Sequence, residues 1–152
     1  AELNHVANYL YLEQQRFGDK LQIIYQIKTE DFMIPPLTLQ PLVENAIVHG
    51  LNEHADMKSL HINITAKVDK KDIVITVQDN GFGISPENLE GILHTDKSKQ
   101  NHGYGVSNIQ SRLQVAFGTS YGLSYESQIG KGTIVTVRIP QILPENIDQI
   151  EL

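Results

Sequence analysis

The sequence is organised around one stretch, Leu39-Gln40-Pro41-Leu42-Val43-Glu44-Asn45-Ala46-Ile47-Val48-His49-Gly50. Its apolar residues recur at helical spacing and predict a helix with one face in the core. At about 100° per residue, Asn45 and His49 fall together at one edge of that face, whereas Glu44 points away. An amide and an imidazole one turn apart beside a core face suit a buried polar ligand. A core helix with a satisfied asparagine and a surface histidine would give the same pattern.

Composition narrows the class of protein. The 152 residues carry a formal net charge of −6, with 40% hydrophobic and 20% charged residues, which is typical of one globular domain with its own core. The negative charge argues against a general nucleic-acid binder, because phosphate backbones are held by clustered lysines and arginines. The lack of cysteine excludes a disulfide framework and cysteine-based metal or redox chemistry. No apolar run is long enough to span a bilayer, so we expect any membrane anchor to lie outside these residues.

The remaining periodicity alternates between helix and strand. Helices are predicted up to Phe17, from Leu39 and from Tyr104 to Phe117, and strands at 21–27, 60–68, 73–79, 122–127 and 133–139. We therefore predict a single domain over residues 1–140 and a tail over residues 141–152. The expected fold is an α/β (α+β) two-layer sandwich, in which three main helices cover one face of a mixed, largely antiparallel sheet.

Asp79 is the most informative single residue. Ile73, Ile75 and Val77 form the apolar face of a predicted strand, and counting in steps of two puts Asp79 on that same face. By the same counting, the hydroxyl of Thr133 points inward from the last strand. A buried carboxylate needs a compensating donor, because burying it unpaired costs free energy. That donor is either an internal partner, which gives Asp79 a structural role, or a bound ligand.

Glycines stand on both sides of a long polar segment. Asn80-Gly81-Phe82-Gly83 follows the strand directly; this is also the pattern of a plain hairpin turn, but no strand follows it. Residues 85–104, with Lys97 and Lys99, instead have the character of a lid. Gly103-Tyr104-Gly105 then opens a helix, and glycines before a helix N-terminus leave backbone N–H groups free for an anion.

The order of these features resembles the ATP-binding catalytic domain of the superfamily that joins sensor histidine kinases with gyrase-, Hsp90- and MutL-type ATPases. The closest resemblance is to the LytS-like branch of the sensor histidine kinases. It rests on Leu-Gln-Pro-Leu-Val-Glu-Asn-Ala-Ile-x-His-Gly at 39–50, Pro35-Pro36, Tyr9-Leu10 to Arg16-Phe17, and Ser107-Asn108 to Arg112-Leu113. The resemblance covers nearly the whole chain and implies the two-layer fold expected above.

The resemblance also implies roles for individual residues. Asp79 resembles the aspartate that accepts a hydrogen bond from the adenine amino group, and Thr133 resembles the hydroxyl beside it. Asn45 resembles the asparagine that ligates Mg²⁺, and together with His49, which lies near the phosphates in relatives, it is the expected catalytic pair. Further contacts to ATP are expected from the glycine motifs and the lid, at Gly81, Gly83, Ile84, Lys97, Lys99, Gly103, Tyr104, Gly105 and Val106.

The implied activity is transfer of the γ-phosphoryl group from Mg-ATP to a histidine. In the related branch that acceptor lies on an upstream dimerisation helix, which we expect outside these residues. The expected partners are ATP, this acceptor domain and, through the full-length kinase, a response regulator, and no nucleic acid. The expected location is the cytoplasmic part of a membrane-anchored bacterial sensor, with membrane contact only through segments outside this chain.

Departures from the family pattern leave alternatives open. Pro41 stands one turn before Asn45, where the ATPases of the superfamily carry a glutamate that activates water, and this argues against hydrolysis. Val106 stands where leucine is common, which bears on the lid contacts. Gly130-Lys131-Gly132 is not a P-loop, because no serine or threonine follows the lysine. An ATPase of the same fold and a nucleotide-sensing module without catalysis are the alternative functions.

Overall fold

The computed structural model describes residues 2–30, 32–35, 37–52, 59–85 and 104–141, with residues 52 and 104–107 described by backbone alone. Three α-helices are present in this part of the chain: α1 (Glu2–Phe17), α2 (Leu39–Ile47) and α3 (Tyr104–Phe117). Its five strands are β1 (Leu21–Ile27), β2 (Leu60–Asp69), β3 (Asp72–Asp79), β4 (Gly122–Gln128) and β5 (Gly132–Pro140). Most of the predicted lid, residues 86–103, and the predicted tail from residue 142 lie outside the described residues.

The strands form one mixed sheet in the order β1-β2-β3-β5-β4. β1 runs parallel to β2, and the other neighbouring strands are antiparallel. This confirms the predicted mixed, largely antiparallel sheet. The predicted bounds of β1 are also confirmed, whereas β2, β3, β4 and β5 each extend one residue further at one or both ends because the backbone ladder continues there.

The core lies between one face of the sheet and the helices. Alternate residues of β2, β3 and β5 are almost fully buried, at Leu60, Ile62, Ile64, Ala66, Ile73, Ile75, Val77, Val135, Val137 and Ile139. They form one cluster with residues of all three helices: Val6 and Leu10 of α1, Leu42, Val43 and Ile47 of α2, and Ile109 and Leu113 of α3. The helices therefore cover a single face of the sheet, as predicted.

The start of α2 is fixed by Glu2, a residue near the beginning of the chain. Thr38, at the N-cap position, makes no side-chain capping bond; its hydroxyl donates to the carbonyl of Pro35 at 2.6 Å. The Glu2 carboxylate instead accepts hydrogen bonds from the N–H groups of Leu39 at 2.9 Å, Leu37 at 3.2 Å and Gln40 at 3.3 Å. A carboxylate at a helix N-terminus satisfies free N–H groups and matches the helix dipole. α1 therefore sets where α2 begins.

The end of α2 differs from the prediction. The α-helix stops at Ile47 and a π-helical turn, Val48–Asn52, follows. The prediction that His49 lies one α-helical turn after Asn45 in the same helix was therefore wrong. Gly50, in this turn, packs directly on the Leu60 side chain, at a distance where a Cβ atom would come within 2.7 Å of it.

Helices of membrane-spanning length and apolarity are absent from the part of the chain that the structure describes.

Candidate functional site

Asp79 ends β3 on the core face of the sheet, opposite Thr133 of β5. Its Oδ1 accepts the N–H of Gly81 at 2.8 Å. Burial raises the pKa of the Asp79 carboxyl, while the N–H groups of Gly81 and Thr133 and the nearby His49 act in the opposite direction. Among the described residues, no salt bridge involves Asp79. Backbone donors thus hold the carboxylate and the charge of His49 favours its ionised form, while its remaining lone pairs can accept a hydrogen bond from a ligand.

The glycines around Asp79 allow close backbone contacts. Gly132 has a φ of 124°, and a Cβ atom there would collide with the backbone carbonyl of Asp79. Gly83 has a φ of 81°, and a Cβ atom there would collide with the carbonyl of Gln128. At Gly81 a Cβ atom would lie 2.9 Å from Oδ1 of Asp79. Gly132 and Gly83 therefore allow backbone segments to approach each other closely, whereas a side chain at Gly81 would meet the carboxylate itself.

The Asn80-Gly81 pair does not form a hairpin turn. The side-chain oxygen of Asn80 accepts the N–H of His61 at 2.6 Å, and its backbone N–H donates to the carbonyl of His61 at 3.3 Å. These bonds continue the pairing of β2 and β3 beyond the last strand residue. The chain then runs beside the β4–β5 turn, where the N–H of Gly130 donates to the carbonyl of Phe82 at 2.8 Å. The segment after β3 therefore forms a wall next to Asp79.

Asn45 lies in the last turn of α2 and His49 in the π-helical turn that follows it, and both are half-buried. The charge of His49 favours the ionised form of Asp79, which means that the two side chains are within electrostatic range of each other. Hydrogen bonds of the Asn45 side chain to other described residues are absent, so its amide oxygen is available to a ligand. Glu44 lies on another side of the helix: Gln40 Nε2 donates to its Oε1 at 3.0 Å, and its charge contributes to the raised pKa of Tyr9.

Some predicted contacts cannot be located. Gly103, Lys97 and Lys99 lie outside the described residues. Tyr104, Gly105 and Val106 form the first turn of α3, as expected for a helix that opens at the glycine motif, but their side chains are not described. Ile84 is half-buried against the core, and its N–H points into the β4–β5 end of the sheet.

Two residues near Asp79 were missed by the sequence analysis. The hydroxyl of Ser127, in β4, accepts the N–H of Ile84 at 2.7 Å and lies 2.8 Å from the hydroxyl of Thr133. Burial, together with the charge of Asp79, raises the pKa of the Tyr125 phenol. Period-2 counting along β4 puts both side chains on one face, but only the pairing of β4 with β5 brings that face beside Thr133.

The described residues fit a nucleotide. Asp79, largely buried on the core face, can accept from an exocyclic amino group, and Gly81 places no side chain against its carboxylate. A cage of three or more acidic, histidine or cysteine ligands is absent from the described residues. A single amide oxygen from Asn45 suits Mg²⁺, which commonly takes one or two protein ligands and completes its shell with phosphate and water oxygens.

Solved structures of histidine kinases have the same fold as this chain. The catalytic domain of histidine kinase ThkA matches with a TM-score of 0.67 over 93% of this chain and 94% of that one, at 18% identity. The blue-light activated histidine kinase EL346 of Erythrobacter litoralis matches with a TM-score of 0.66 over 95% of this chain and 42% of that one, at 21% identity. The fold is therefore that of histidine kinase catalytic domains.

The family model described as histidine kinase-, DNA gyrase B- and HSP90-like ATPase matches residues 35–142, and the chain belongs to this family. The sensor protein LytS of Staphylococcus epidermidis is 37% identical over 142 residues, which are 91% of this chain and 24% of LytS. The sensor histidine kinase YesM of Bacillus subtilis is 37% identical over 141 residues, which are 91% of this chain and 23% of YesM. The resemblance to LytS-like sensor kinases is thus confirmed, and the chain spans about a quarter of the length of these relatives.

Proposed function

We propose that this chain is the ATP-binding catalytic domain of a sensor histidine kinase and transfers the γ-phosphoryl group of ATP to a histidine on a helix outside these residues. The single observation that carries the proposal is Asp79: a largely buried carboxylate on the core face, whose position is fixed by backbone N–H groups and whose remaining lone pairs can accept from a ligand. A buried charge left in this way suits a ligand that donates to it.

Each residue of the site has a role in this proposal. Asp79 accepts a hydrogen bond from the adenine amino group, which anchors the base at the core face of the sheet, where β3 ends opposite the start of β5. Asn45 offers its amide oxygen to Mg²⁺, whose charge balances that of the phosphates. His49, in the turn after α2, lies where it can contact the nucleotide. The first turn of α3 offers backbone N–H groups to phosphate oxygens.

The proposed chemistry is one displacement. A bond forms between the γ-phosphorus and an imidazole nitrogen of the acceptor, and the bond from that phosphorus to the bridging oxygen breaks, which leaves ADP. This chain contributes mainly orientation and charge, and the acceptor histidine is the nucleophile. In the full-length kinase, a response regulator is the expected next acceptor, and we propose that this domain works on the cytoplasmic side of a membrane-anchored sensor.

Hydrolysis is the main rival. A hydrolase needs a group that activates water. Pro41, one turn before Asn45, cannot serve, and Glu44 lies towards Gln40 and Tyr9. These positions favour transfer to an external acceptor over hydrolysis.

The test uses ATP labelled at the γ-phosphate, with Mg²⁺, in the presence and absence of a fragment that carries the acceptor helix of a LytS-type relative. We expect acid-labile phosphohistidine on the fragment, and its loss in Asn45→Ala. The matched control is Asn63→Ala, which removes an amide from the outer face of β2 and should keep full activity. Free phosphate without labelled protein would indicate an ATPase. ATP binding without either product would indicate a nucleotide-sensing module.

A further inference from the structure

β1 forms one edge of the sheet. Its only neighbouring strand among the described residues is β2, which runs parallel to it. The N–H of Lys28, the residue after β1, donates to the carbonyl of Ala66 in β2 at 2.8 Å. Because backbone groups alternate in direction along a strand, the even-numbered residues of β1 turn their N–H and C=O groups towards β2, and Ile23 and Tyr25 turn theirs outward. The middle of this edge therefore offers backbone donors and acceptors to a further strand.

β1 lacks the features that protect the edges of sheets from pairing with other chains. Protected edge strands are very short, or carry a lysine, a proline or a bulge. β1 is seven residues long, pairs regularly along its whole length and contains no charged residue and no proline. Ile24 is 52% exposed and Tyr25 is 45% exposed, and since they are neighbours, large side chains lie in solvent on both faces of the strand. By contrast, β4, the strand at the other edge, carries the charged residue Glu126.

The side of α1 next to this edge is uncharged as well. Gln14 Nε2 lies 3.5 Å from the carbonyl oxygen of Leu21, at the start of β1, and this marks the side of α1 that runs along the edge. At about 100° per residue, Ala7 and Tyr11 fall on the same side of the helix, and Tyr11 is 62% exposed. The centres of protein interfaces are poor in charge and rich in tyrosine, so this surface has the composition of an interface. The charged residues of α1 lie on its other side, towards α2: Glu2, Glu13 and Arg16.

The sequence of β1, Leu21-Gln22-Ile23-Ile24-Tyr25-Gln26-Ile27, is self-complementary. Read outward from Ile24, both directions give an apolar or aromatic residue, a glutamine and an apolar residue. In an antiparallel pair of two β1 strands centred on Ile24, glutamine therefore meets glutamine, and Ile23 meets Tyr25. Ile23 and Tyr25 are also the residues whose backbone groups point outward, and residues placed opposite each other in this way exchange both N–H···O bonds. One register thus satisfies the side chains and the backbone together.

We propose that two copies of this chain associate through β1, with the two strands antiparallel and related by a twofold axis at Ile24. The two sheets form one continuous sheet, and the two α1 helices lie on the same face of it. The partner is a second copy because the strand matches itself in side chains and in backbone direction and carries no charge that would repel its own kind. The contact lies outside the candidate nucleotide site and is independent of the function proposed above.

Two lysines stand at the ends of the paired segment. Lys20 precedes β1 and Lys28 follows it, so in this register Lys20 lies opposite Lys28 of the second copy. Like charges placed opposite each other weaken strand pairing, and the net charge of −6 on each chain adds repulsion at longer range. Salt screens both effects. The dimer is therefore weak at low ionic strength, and its affinity rises with salt.

Sedimentation equilibrium of the whole chain, up to a concentration of about 1 mM, tests the association. We expect a reversible monomer–dimer equilibrium that shifts towards the dimer as salt is raised. Ile24→Lys places two like charges at the twofold axis and should weaken the dimer at least about a hundredfold. The matched control is Val115→Lys, the same change of charge at a residue of α3 that is 85% exposed, and it should leave the affinity within about twofold of the wild-type. Thermal unfolding establishes that both variants are folded.

Three outcomes would overturn the proposal. The first is a wild-type chain that stays monomeric over the whole concentration range. The second is an equal loss of affinity in Ile24→Lys and Val115→Lys, which would mean that net charge and not the β1 edge controls the association. The third is a dimer that dissociates as salt is raised, because that would indicate a contact between opposite charges elsewhere on the surface.

Disulfide formation tests the register, since the chain has no cysteine of its own. Ile24→Cys places two thiols opposite each other in a pair without hydrogen bonds, where Cα atoms lie about 4.5 Å apart, within the range of a disulfide. Mild oxidation should therefore give a covalent dimer. Gln22→Cys is the matched control: its two copies lie about 14 Å apart in this register, so it should not cross-link alone but should cross-link with Gln26→Cys. Failure of Ile24→Cys to cross-link, or cross-linking of Gln22→Cys with itself, would overturn the proposal.

Discussion

Asp72 and Asp79 begin and end the same strand, β3, but their carboxylates have opposite surroundings. Asp72 accepts from Arg138 Nη1 at 2.9 Å and from the Tyr121 hydroxyl at 3.1 Å, and the same guanidinium reaches Asp69 at 3.0 Å. Asp79 accepts from backbone N–H groups, and the charge of the nearby His49 favours its ionised form. The carboxylate at the Asp72 end of β3 is paired with an arginine, whereas the carboxylate at the Asp79 end is buried and can still accept a hydrogen bond.

The two ends also differ in how tightly the backbone is packed. At the Asp72 end, the turn residue Lys70 has a φ of 57° and an exposed side chain, so a Cβ atom is tolerated there. At the Asp79 end, Gly132 has a positive φ and its Cα lies against the carbonyl of Asp79. The Asp79 end is therefore built from close backbone contacts, and the Asp72 end from long side chains at the surface.

The largest effect is expected from Gly132→Ala. The added Cβ would collide with the carbonyl of Asp79 and would force an unfavourable φ, so we expect a loss of at least about 2 kcal/mol in the free energy of unfolding, measured in urea. Lys70→Ala at the other end keeps a Cβ atom where one already stands and should change stability by less than about 0.5 kcal/mol. Equal losses in the two variants would show that the ends of β3 are equally tight.

The second-largest effect is expected on the binding of ATP. Asp79→Asn should weaken ATP binding by about tenfold to a hundredfold, measured by calorimetry, because a hydrogen bond to a charged acceptor is lost. The nucleotide-free domain should be at least as stable as the wild-type at neutral pH, because the asparagine oxygen can still accept from Gly81 and no charge is buried. A large loss of stability with unchanged affinity would mean that Asp79 is a structural residue after all.

The pH dependence of stability and of ATP affinity provides a control for Asp79→Asn. Burial raises the pKa of Asp79 above its ordinary value of 3.8, so the folded state holds the proton more tightly than the unfolded state does. The stability contribution of Asp79 therefore falls as the pH rises from the unfolded to the folded pKa. ATP affinity should rise across the same window, because the ionised carboxylate is the better acceptor. Both contributions should vanish in Asp79→Asn.

The smallest effect is expected from Asp72→Asn. It weakens one of the two ion pairs of Arg138 at a site where the arginine side chain is 40% exposed, and pairs of this kind contribute about 1 kcal/mol or less. We expect a small decrease in melting temperature that shrinks further in high salt, and an ATP affinity within about twofold of the wild-type. A marked loss of ATP affinity would mean that the two ends of β3 are coupled.

The sequence predicted those features that depend on local pattern. Counting in steps of two put Asp79 on the core face, and the structure agrees because β3 is regular up to that residue. The glycine motif before α3 marked the start of that helix correctly. These features need only the period of a strand or the chemistry of a helix end.

Features that depend on distant pairing could not be predicted. Ser127 reads as an ordinary polar strand residue, and its contacts with Ile84 and Thr133 follow from the register of β4 with β5 and from the path of the chain at Ile84. The close contact of Gly50, in the π-helical turn, with Leu60 also depends on how α2 packs against the next strand. The partner of Asp72 lies 66 residues further along the chain.

The bond between Glu2 and the start of α2 bears on where the working unit of this domain begins. The family model matches from residue 35, yet the N–H groups at 37, 39 and 40 depend on a carboxylate at residue 2, and Val6 and Leu10 complete the core. A fragment cut to the limits of the family match would lose the carboxylate that caps α2 and the apolar side chains of α1 that share a core with α2. The boundary of sequence similarity and the boundary of the folding unit are therefore different, and protein made for binding studies should include the whole of α1.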